Sequence, residues 1–371
     1  MIGTRLRKPS RLIHISKMRT FILYPVVIGL CHGPIFAGEF DPEKNIQDEI
    51  QHHLGGIKRS MEQLDEARAT LQASILDLEK QAASEQAVSK VATVPEFKLG
   101  HSIFLMKVDG SGLRPVAPMP KLSGQGSPAW SHDGKRIAFD AWGGNDDLAA
   151  HIFVSDIGGG EVKDLGPGGM PNWSPDDQLI SFQQYGNKWG VWVMRPDGSD
   201  QRQLVQRAIG PQWSPDGAQL AMIQVGNGEG VGVYDVATKE VKVIVPISKL
   251  GFNHGIGWSP DGKRLCGRQR REDGQFDLAT IETGQQSGHI RVLFRGLIAS
   301  QVKWSPNGRW VLFTMRTEQL PKHQLYIIDA DGNAAPRLLA GQDPRRNNVD
   351  PAWSPDSRWI AFASTPGDYR E

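Results

Sequence analysis

Side chains able to do chemistry fall in clumps along this chain and not in one compact motif. Trp142 precedes Asp146 and Asp147, Tyr185 stands near Lys188 and Trp189, and Phe252 is followed by His254. Arg270 adjoins Arg271, Arg316 leads to His323, and Arg345 and Arg346 come shortly before Asp350. Aromatic and arginine side chains are enriched in protein recognition surfaces, so one chemistry these clumps offer is partner binding. A second is catalysis: His151, His254, His323, Asp146, Asp147 and Asp350 would supply a general acid and base if the fold drew them into one funnel. Carboxylates from successive loops would also give a channel-bound calcium the oxygen ligands it prefers. No other cofactor or metal is indicated. The sequence has no Gly-x-Ser-x-Gly elbow, His-Glu-x-x-His pair, P-loop or dinucleotide fingerprint, so nothing in it points to the activities built on those motifs. With 42 Lys+Arg against 41 Asp+Glu, a net charge of +1 removes the bulk electrostatic case for nucleic acid.

What must position these clumps is a repeat. Eleven Trp stand beside only five Tyr, and six of the Trp open the same short word. Trp130, Trp173, Trp213, Trp258, Trp304 and Trp353 are each followed by Ser and then by Pro-Asp-Gly or a one-residue variant of it, at spacings of 43, 40, 45, 46 and 49 residues. Ser accepts at the first turn position, Pro presets φ at the second, Asp tolerates the third and Gly closes a type I turn. A short apolar strand follows each time, as in Ile137-Ala138-Phe139 and Ile360-Ala361-Phe362. A further strand, such as Ile152 to Ile157 or Leu325 to Ala330, then ends in turn signals and leads to a fourth. Four strands in about 45 residues is the period of a propeller blade.

Ile103 to Val116 holds the last two strands of a unit, and Asp350 to Ser364 the first two. Together they complete one blade. The expectation is therefore an all-β, six-bladed β-propeller over residues 98–371, closed by a 2+2 strand clasp. The six repeat Trp are read as blade packing. Function is expected in the long, unlike loops that join the second strand to the third and one blade to the next.

Trp-Ser-Pro-Asp-Gly followed by an Ile-Ala-Phe strand and an Ile-Tyr-Val-like strand resembles the TolB-type propeller repeat, a relative of the WD-repeat blade. The resemblance covers residues 98–371 and occurs six times. It implies a propeller of the periplasm or cell envelope that binds protein. The extra α/β domain that precedes the propeller in TolB has no counterpart among residues 1–97. Inside the repeat His132 replaces Pro, Asp177 and Ser357 replace Gly, and Asn307 replaces Asp. TolB-like propellers also accompany peptidase domains, but no such domain is legible here.

The front of the chain has its own grammar. Basic residues from Arg5 to Arg19 precede an apolar run from Phe21 to Leu30, with Ala37-Gly38 as a cleavage point, so residues 1–37 read as a signal peptide whose start is alternatively Met18. The stretch is short and interrupted for a membrane anchor, the competing reading. Residues 38–88 read as helical: Asp41 caps, Pro42 opens the helix, and Gly55-Gly56 is expected to break or kink it. Ile57, Met61, Leu64, Leu71, Ile75 and Leu78 then form a heptad seam. That seam allows either oligomerisation through residues 57–82 or an amphipathic helix lying on the propeller. Residues 89–97 read as a linker. Cleavage would remove Cys31 and leave Cys266 alone, so no intramolecular disulfide supports the fold. The combined expectation is a periplasmic or secreted, non-catalytic scaffold for a protein or glycan partner. The alternative is a propeller-type carbohydrate lyase or hydrolase with a funnel active site.

Overall fold

The computed structural model describes residues 51–66, 68, 72, 100–119, 121–144, 149–225, 230–246, 255–284 and 290–367. It divides into two compact units, residues 1–67 and 68–371. In the first, residues 51–66 form one helix that runs straight through Gly55 and Gly56. The expected break there does not occur. Two glycines cost the helix roughly 2 kcal/mol against alanine, and the Gln, His, Leu, Lys and Arg residues around them have side chains that tolerate a helix. Leu54, Ile57, Met61 and Leu64 are exposed along it. Among the described residues no helix is long and apolar enough to cross a membrane.

The second unit is six four-stranded antiparallel sheets, and the order of strands within each confirms the expected blades. The chain enters through β1 (Ser102–Lys107) and β2 (Arg114–Pro115). Blade 1 is β3 (Gly124–Trp130), β4 (Arg136–Trp142), β5 (His151–Asp156) and β6 (Val162–Pro167). Blade 2 is β7 (Gly169–Trp173), β8 (Ile180–Gln184), β9 (Gly190–Met194) and β10 (Arg202–Gln206). Blade 3 is β11 (Ala208–Trp213), β12 (Gln219–Gln224), β13 (Gly230–Asp235) and β14 (Val241–Pro246). Blade 4 is β15 (Gly257–Trp258), β16 (Arg264–Arg270), β17 (Phe276–Glu282) and β18 (Ile290–Arg295). Blade 5 is β19 (Ile298–Trp304), β20 (Trp310–Met315), β21 (Gln324–Asp329) and β22 (Arg337–Leu338). Blade 6 joins β23 (Asn347–Trp353) and β24 (Trp359–Thr365) to β1 and β2 from the other end of the propeller segment. The innermost strand of each blade touches those of its neighbours, and β23 returns to β3, so the ring closes.

The repeat word does what its residues predict. In each turn the Ser carbonyl accepts from the N–H three residues on, at 2.9–3.0 Å. The Ser hydroxyl donates to the Asp or Asn side chain at 2.5–2.8 Å. That hydroxyl bond is the first cause holding the Asp133, Asp176, Asp216 and Asp261 carboxyls below the usual range. Where Gly is missing the chain gains a contact. Asp177 takes the left-handed conformation at φ 57°, and its carboxylate accepts the His132 and Asp133 N–H groups of blade 1 at 2.7 and 2.8 Å. Ser357, at φ 59°, likewise accepts the Asn307 N–H from blade 5 at 3.1 Å. Both departures from the repeat tie a blade to the one before it.

Blade faces meet through the second strands: Phe139, Phe182, Phe313 and Phe362 are buried, and even the weakly apolar Cys266 and Gly267 of β16 are enclosed. Five repeat Trp are buried and Trp213 is half-buried, and Arg136 and Arg264 each stack on the Trp of the next blade, Trp173 and Trp304, at 4.5 Å. The clasp pairs β1 with β24 from Ser102↔Ser364 to Lys107↔Trp359. Arg346 reinforces it, donating to the Ser364 hydroxyl, the Ser364 carbonyl and the Gly100 carbonyl, each at 2.8 Å. Removing residues 347–371 takes away two strands of blade 6 and exposes both of its neighbours. The expected result is loss of the single cooperative thermal transition; a truncated protein melting as sharply as the full chain would show that the clasp does not close the fold.

Candidate functional site

An axial channel runs through the ring, and the inner strands shape it by a repeated irregularity. Pairing with the second strand slips between Gly126 and Ala129, Gly169 and Asn172, Ile209 and Gln212, Ala299 and Lys303, and Val349 and Ala352. These are β-bulges, which leave backbone groups unpaired and bend the strand. Ser127, Met170, Gly210 and Asp350 sit in them with φ between 46° and 61°, and each is followed by Pro, which has no N–H to leave unsatisfied. The freed bulge N–H groups are taken by side chains from the preceding blade. Asp140 accepts from Met170 N–H at 2.8 Å, and Gln183 Oε1 accepts from Gly210 N–H at 3.1 Å.

Asp140 is the centre of the variable-loop end of this channel. It lies on β4 opposite Gly126 and is buried, which pushes its carboxyl up, against the opposing pull of bonds from Met170 N–H, the Ser127 hydroxyl and Gly126 N–H. Two glycines open room around it. A methyl on Gly124 would overlap the Trp142 ring, and one on Gly126 would come within 2.8 Å of Asp140 Oδ1 and 3.4 Å of Trp142. A methyl on Gly169 would meet Tyr185 Oη at 2.9 Å and Asp140 Oδ2 at 3.2 Å. Trp142, Asp140 and Tyr185 thus crowd one glycine-lined rim built by blades 1 and 2. Gln183 donates to Tyr185 Oη at 2.5 Å. His101 packs edge-on against Trp142 with centroids 5.3 Å apart, and burial, helped by the Arg346 charge, lowers its pKa to about 4, so it is neutral at pH 7.

From Tyr185 a short loop carries the site outward through a 3-10 turn, Gly186–Lys188. Trp189 is half-buried with the Arg207 guanidinium 5.7 Å over its ring, and exposed Lys188 stands 5.8 Å over Trp192. The remaining sequence candidates lie apart from this line. Arg271 pairs with Asp277 at 2.9 Å and Asp273 at 3.1 Å, and Arg345 pairs with Asp343 at 2.8 Å. Arg346 belongs to the clasp. His323 is buried, its backbone N–H donating to Asn347 and its carbonyl accepting from Asn348, both at 2.8 Å. Arg270 and Arg316 are exposed at strand ends. Asp350, read as a loop residue, is in the β23 bulge. Asp146, Asp147, Phe252 and His254 lie outside the described residues. Of the acid–base set, His151 pairs with Asp164 at 3.0 Å on the outer strands of blade 1, away from His323 and Asp350. Among the described residues no cluster of His, Cys, Asp and Glu is arranged to hold a metal.

Asp140 sits inside strand β4 and not in one of the variable loops where the sequence pattern places function. Its signal is the third residue after the strand's first apolar position, where the other repeats have Gln183, Ile223, Arg268, Thr314 and Ala363.

Fold and channel together define a closed six-bladed propeller whose repeat supplies packing and whose differences supply chemistry. Residues 88–343 match the TolB beta propeller domain, and the chain belongs to that family. A solved structure described provisionally as TolB from Agrobacterium tumefaciens superposes with a TM-score of 0.58 at 18% identity, covering 72% of this chain and 98% of that one. TolB from Acinetobacter baumannii gives 0.54 at 19% identity, covering 76% and 69%. An uncharacterized protein of Agrobacterium fabrum, Atu1656, is 29% identical over 113 residues, which is 30% of this chain and 36% of that protein. The chain therefore spans about a third of that relative's length.

Asp140 gives a pH test. Its folded pKa is raised above the unfolded value of about 4. The folded state holds the proton longer, so Asp140's contribution is full below that value and is lost as pH rises through the folded pKa. In Asp140→Asn this pH dependence is absent. The difference in unfolding free energy should move in favour of the variant as pH rises from 4 to 8, even though losing carboxylate bonds lowers its stability overall. A difference that stays constant with pH would show that Asp140 ionises freely.

Proposed function

We propose that this protein is a non-catalytic scaffold of the periplasm or cell envelope that holds a protein partner on the variable-loop face of its propeller. The observation that carries this reading is the line from the channel outward: Trp142 and Tyr185 stand at the glycine-lined rim around Asp140, and Lys188, Trp189 and Arg207 continue it along one loop and strand. Half-buried aromatic anchors flanked by cations have the make-up of binding hot spots. Rigid display keeps the ordering cost of binding low, because the ring is already formed. Residues 1–37 act as the export signal and 38–88 as a helical spacer, with the apolar residues Ile57, Met61 and Leu64 available for self-association. A glycan partner would use the same aromatic surface.

The test separates binding from packing. Trp189→Ala and Lys188→Ala should each abolish or weaken capture of envelope proteins by at least tenfold while shifting the melting temperature by less than about 2 °C. Trp142→Ala should weaken capture and also cost about 1–3 kcal/mol, because its ring covers Gly124 and His101. Full capture by the Trp189→Ala protein would sink the proposal.

A further inference from the structure

The channel's other end is chemically different. Toward the Ser-Pro-Asp-Gly turns the six blades line a half-open cavity of about 160 Å³. Its lining includes Ala129, Asn172, Gln212, Lys303 and Ala352, each the residue just before a blade tryptophan. Among the described residues that line it, none is Asp or Glu. Lys303 reaches across the channel from blade 5 and its Nζ donates to Gln212 Oε1 of blade 3 at 2.5 Å. The blade between carries Gly257, where a Cβ would come within 3.2 Å of the Lys303 Cα, so no side chain obstructs the span.

An ammonium group has three N–H donors, and among the described residues Lys303 spends only one, on a neutral amide. Lys303 is half-buried and the Asp350 carboxylate of β23 acts on its charge, so what its remaining N–H groups call for is an acceptor and not a counter-charge. Asn172 fixes its carbonyl on the Trp213 N–H at 2.9 Å, which leaves its amide N–H groups as further donors at the lining. Ala, Pro and Trp side chains make much of the remaining wall, together with Met170 and the polar Ser127, His132 and Gln301.

We propose that this cavity binds a small monocarboxylate, with Lys303 and the Asn172 amide taking the carboxylate and the apolar wall taking a short organic tail. Because Asp350 already acts on the Lys303 charge, a singly charged carboxylate is repelled less at this site than a phosphate dianion. The room limits the tail to a few carbon atoms. The charge needed is present at pH 7: burial lowers Lys303 to about 8, with Asp350 on β23 opposing that shift. The Cys266 thiol of β16, pushed up to about 12 by its burial, stays neutral beside it. His132 stands in the lining near the turns.

The experiment titrates the full chain with sodium acetate, and with sodium phosphate, against sodium chloride at equal ionic strength. It follows the melting temperature and the ¹³Cε resonance of Lys303. Triglycine and triglycine amide form a second pair of probes. Acetate should raise the melting temperature saturably at pH 7 and move the Lys303 titration upward. Its affinity should weaken about tenfold per pH unit above 8, because only the protonated amine pairs with it. Lys303→Met should lose the effect, and Gln212→Leu should keep it if the methionine variant fails to fold. Saturation by triglycine but not by its amide, with acetate silent, would assign the site to a chain-terminal carboxylate instead of a free one. Binding of phosphate in preference to acetate, an equal response in Lys303→Met, or no saturation by any carboxylate would overturn the proposal.

Discussion

A four-stranded blade has two apolar faces and covers neither by itself, so every blade depends on two neighbours and the whole molecule on the ring being shut. Closure is carried by the pairing of β1 with β24, strands more than 250 residues apart in sequence. Arg346 adds three hydrogen bonds at this seam, one of them to Gly100 just ahead of β1. Its guanidinium is buried over the Phe104 ring, and burial draws its pKa down despite the nearby Asp343. A buried cation at the join is tolerable because backbone and side-chain oxygens meet its N–H groups. Everything else, from Trp packing to the glycine rim, assumes that this seam holds.

Closure also dictates the character of the channel. Six inner strands brought close around an axis cannot all continue as regular ladders, and the bulges at Ser127, Met170, Gly210 and Asp350 absorb the curvature. Each bulge frees backbone N–H groups that must find acceptors away from water. Asp140 and Gln183 meet that need for the next blade in the ring. The polar side chains of the channel are thus first a solution to a hydrogen-bonding problem. Chemistry becomes available where one of them exceeds what the backbone asks, as the Asp140 charge does.

Fold was legible in the sequence because it rests on what recurs. Trp-Ser-Pro-Asp-Gly carries its own turn mechanism, and the half-units at Ile103 and Asp350 announce the clasp. The helix over residues 51–66 was legible as a helix, while its Gly55-Gly56 break was not real, since two glycines tax a helix without forbidding it. The site was legible only in part. Trp142, Tyr185, Lys188 and Trp189 stood out by residue type, but Arg346 and His323 look the same on paper as binding residues, and their burial depends on contacts with β24 and β23 that no local pattern encodes. Asp140 and Lys303 hid for a different reason: within a strand, the position that faces the axis is set by a bulge, and the bulge is set by ring curvature.

Those two charges separate what the fold needs from what it merely permits. At the position of Asp140, blades 3 and 6 carry Ile223 and Ala363 on the same strand with the same pairing partner position. At the position of Lys303, blades 1 and 6 carry Ala129 and Ala352. The backbone therefore forms equally well around an apolar side chain at both places. A buried carboxylate, and to a lesser degree a half-buried ammonium, costs folding energy that an alanine would not. Neither Asp140 nor Lys303 is thus explained by the propeller as a fold, and each marks one end of the axis as chemically distinct from the other.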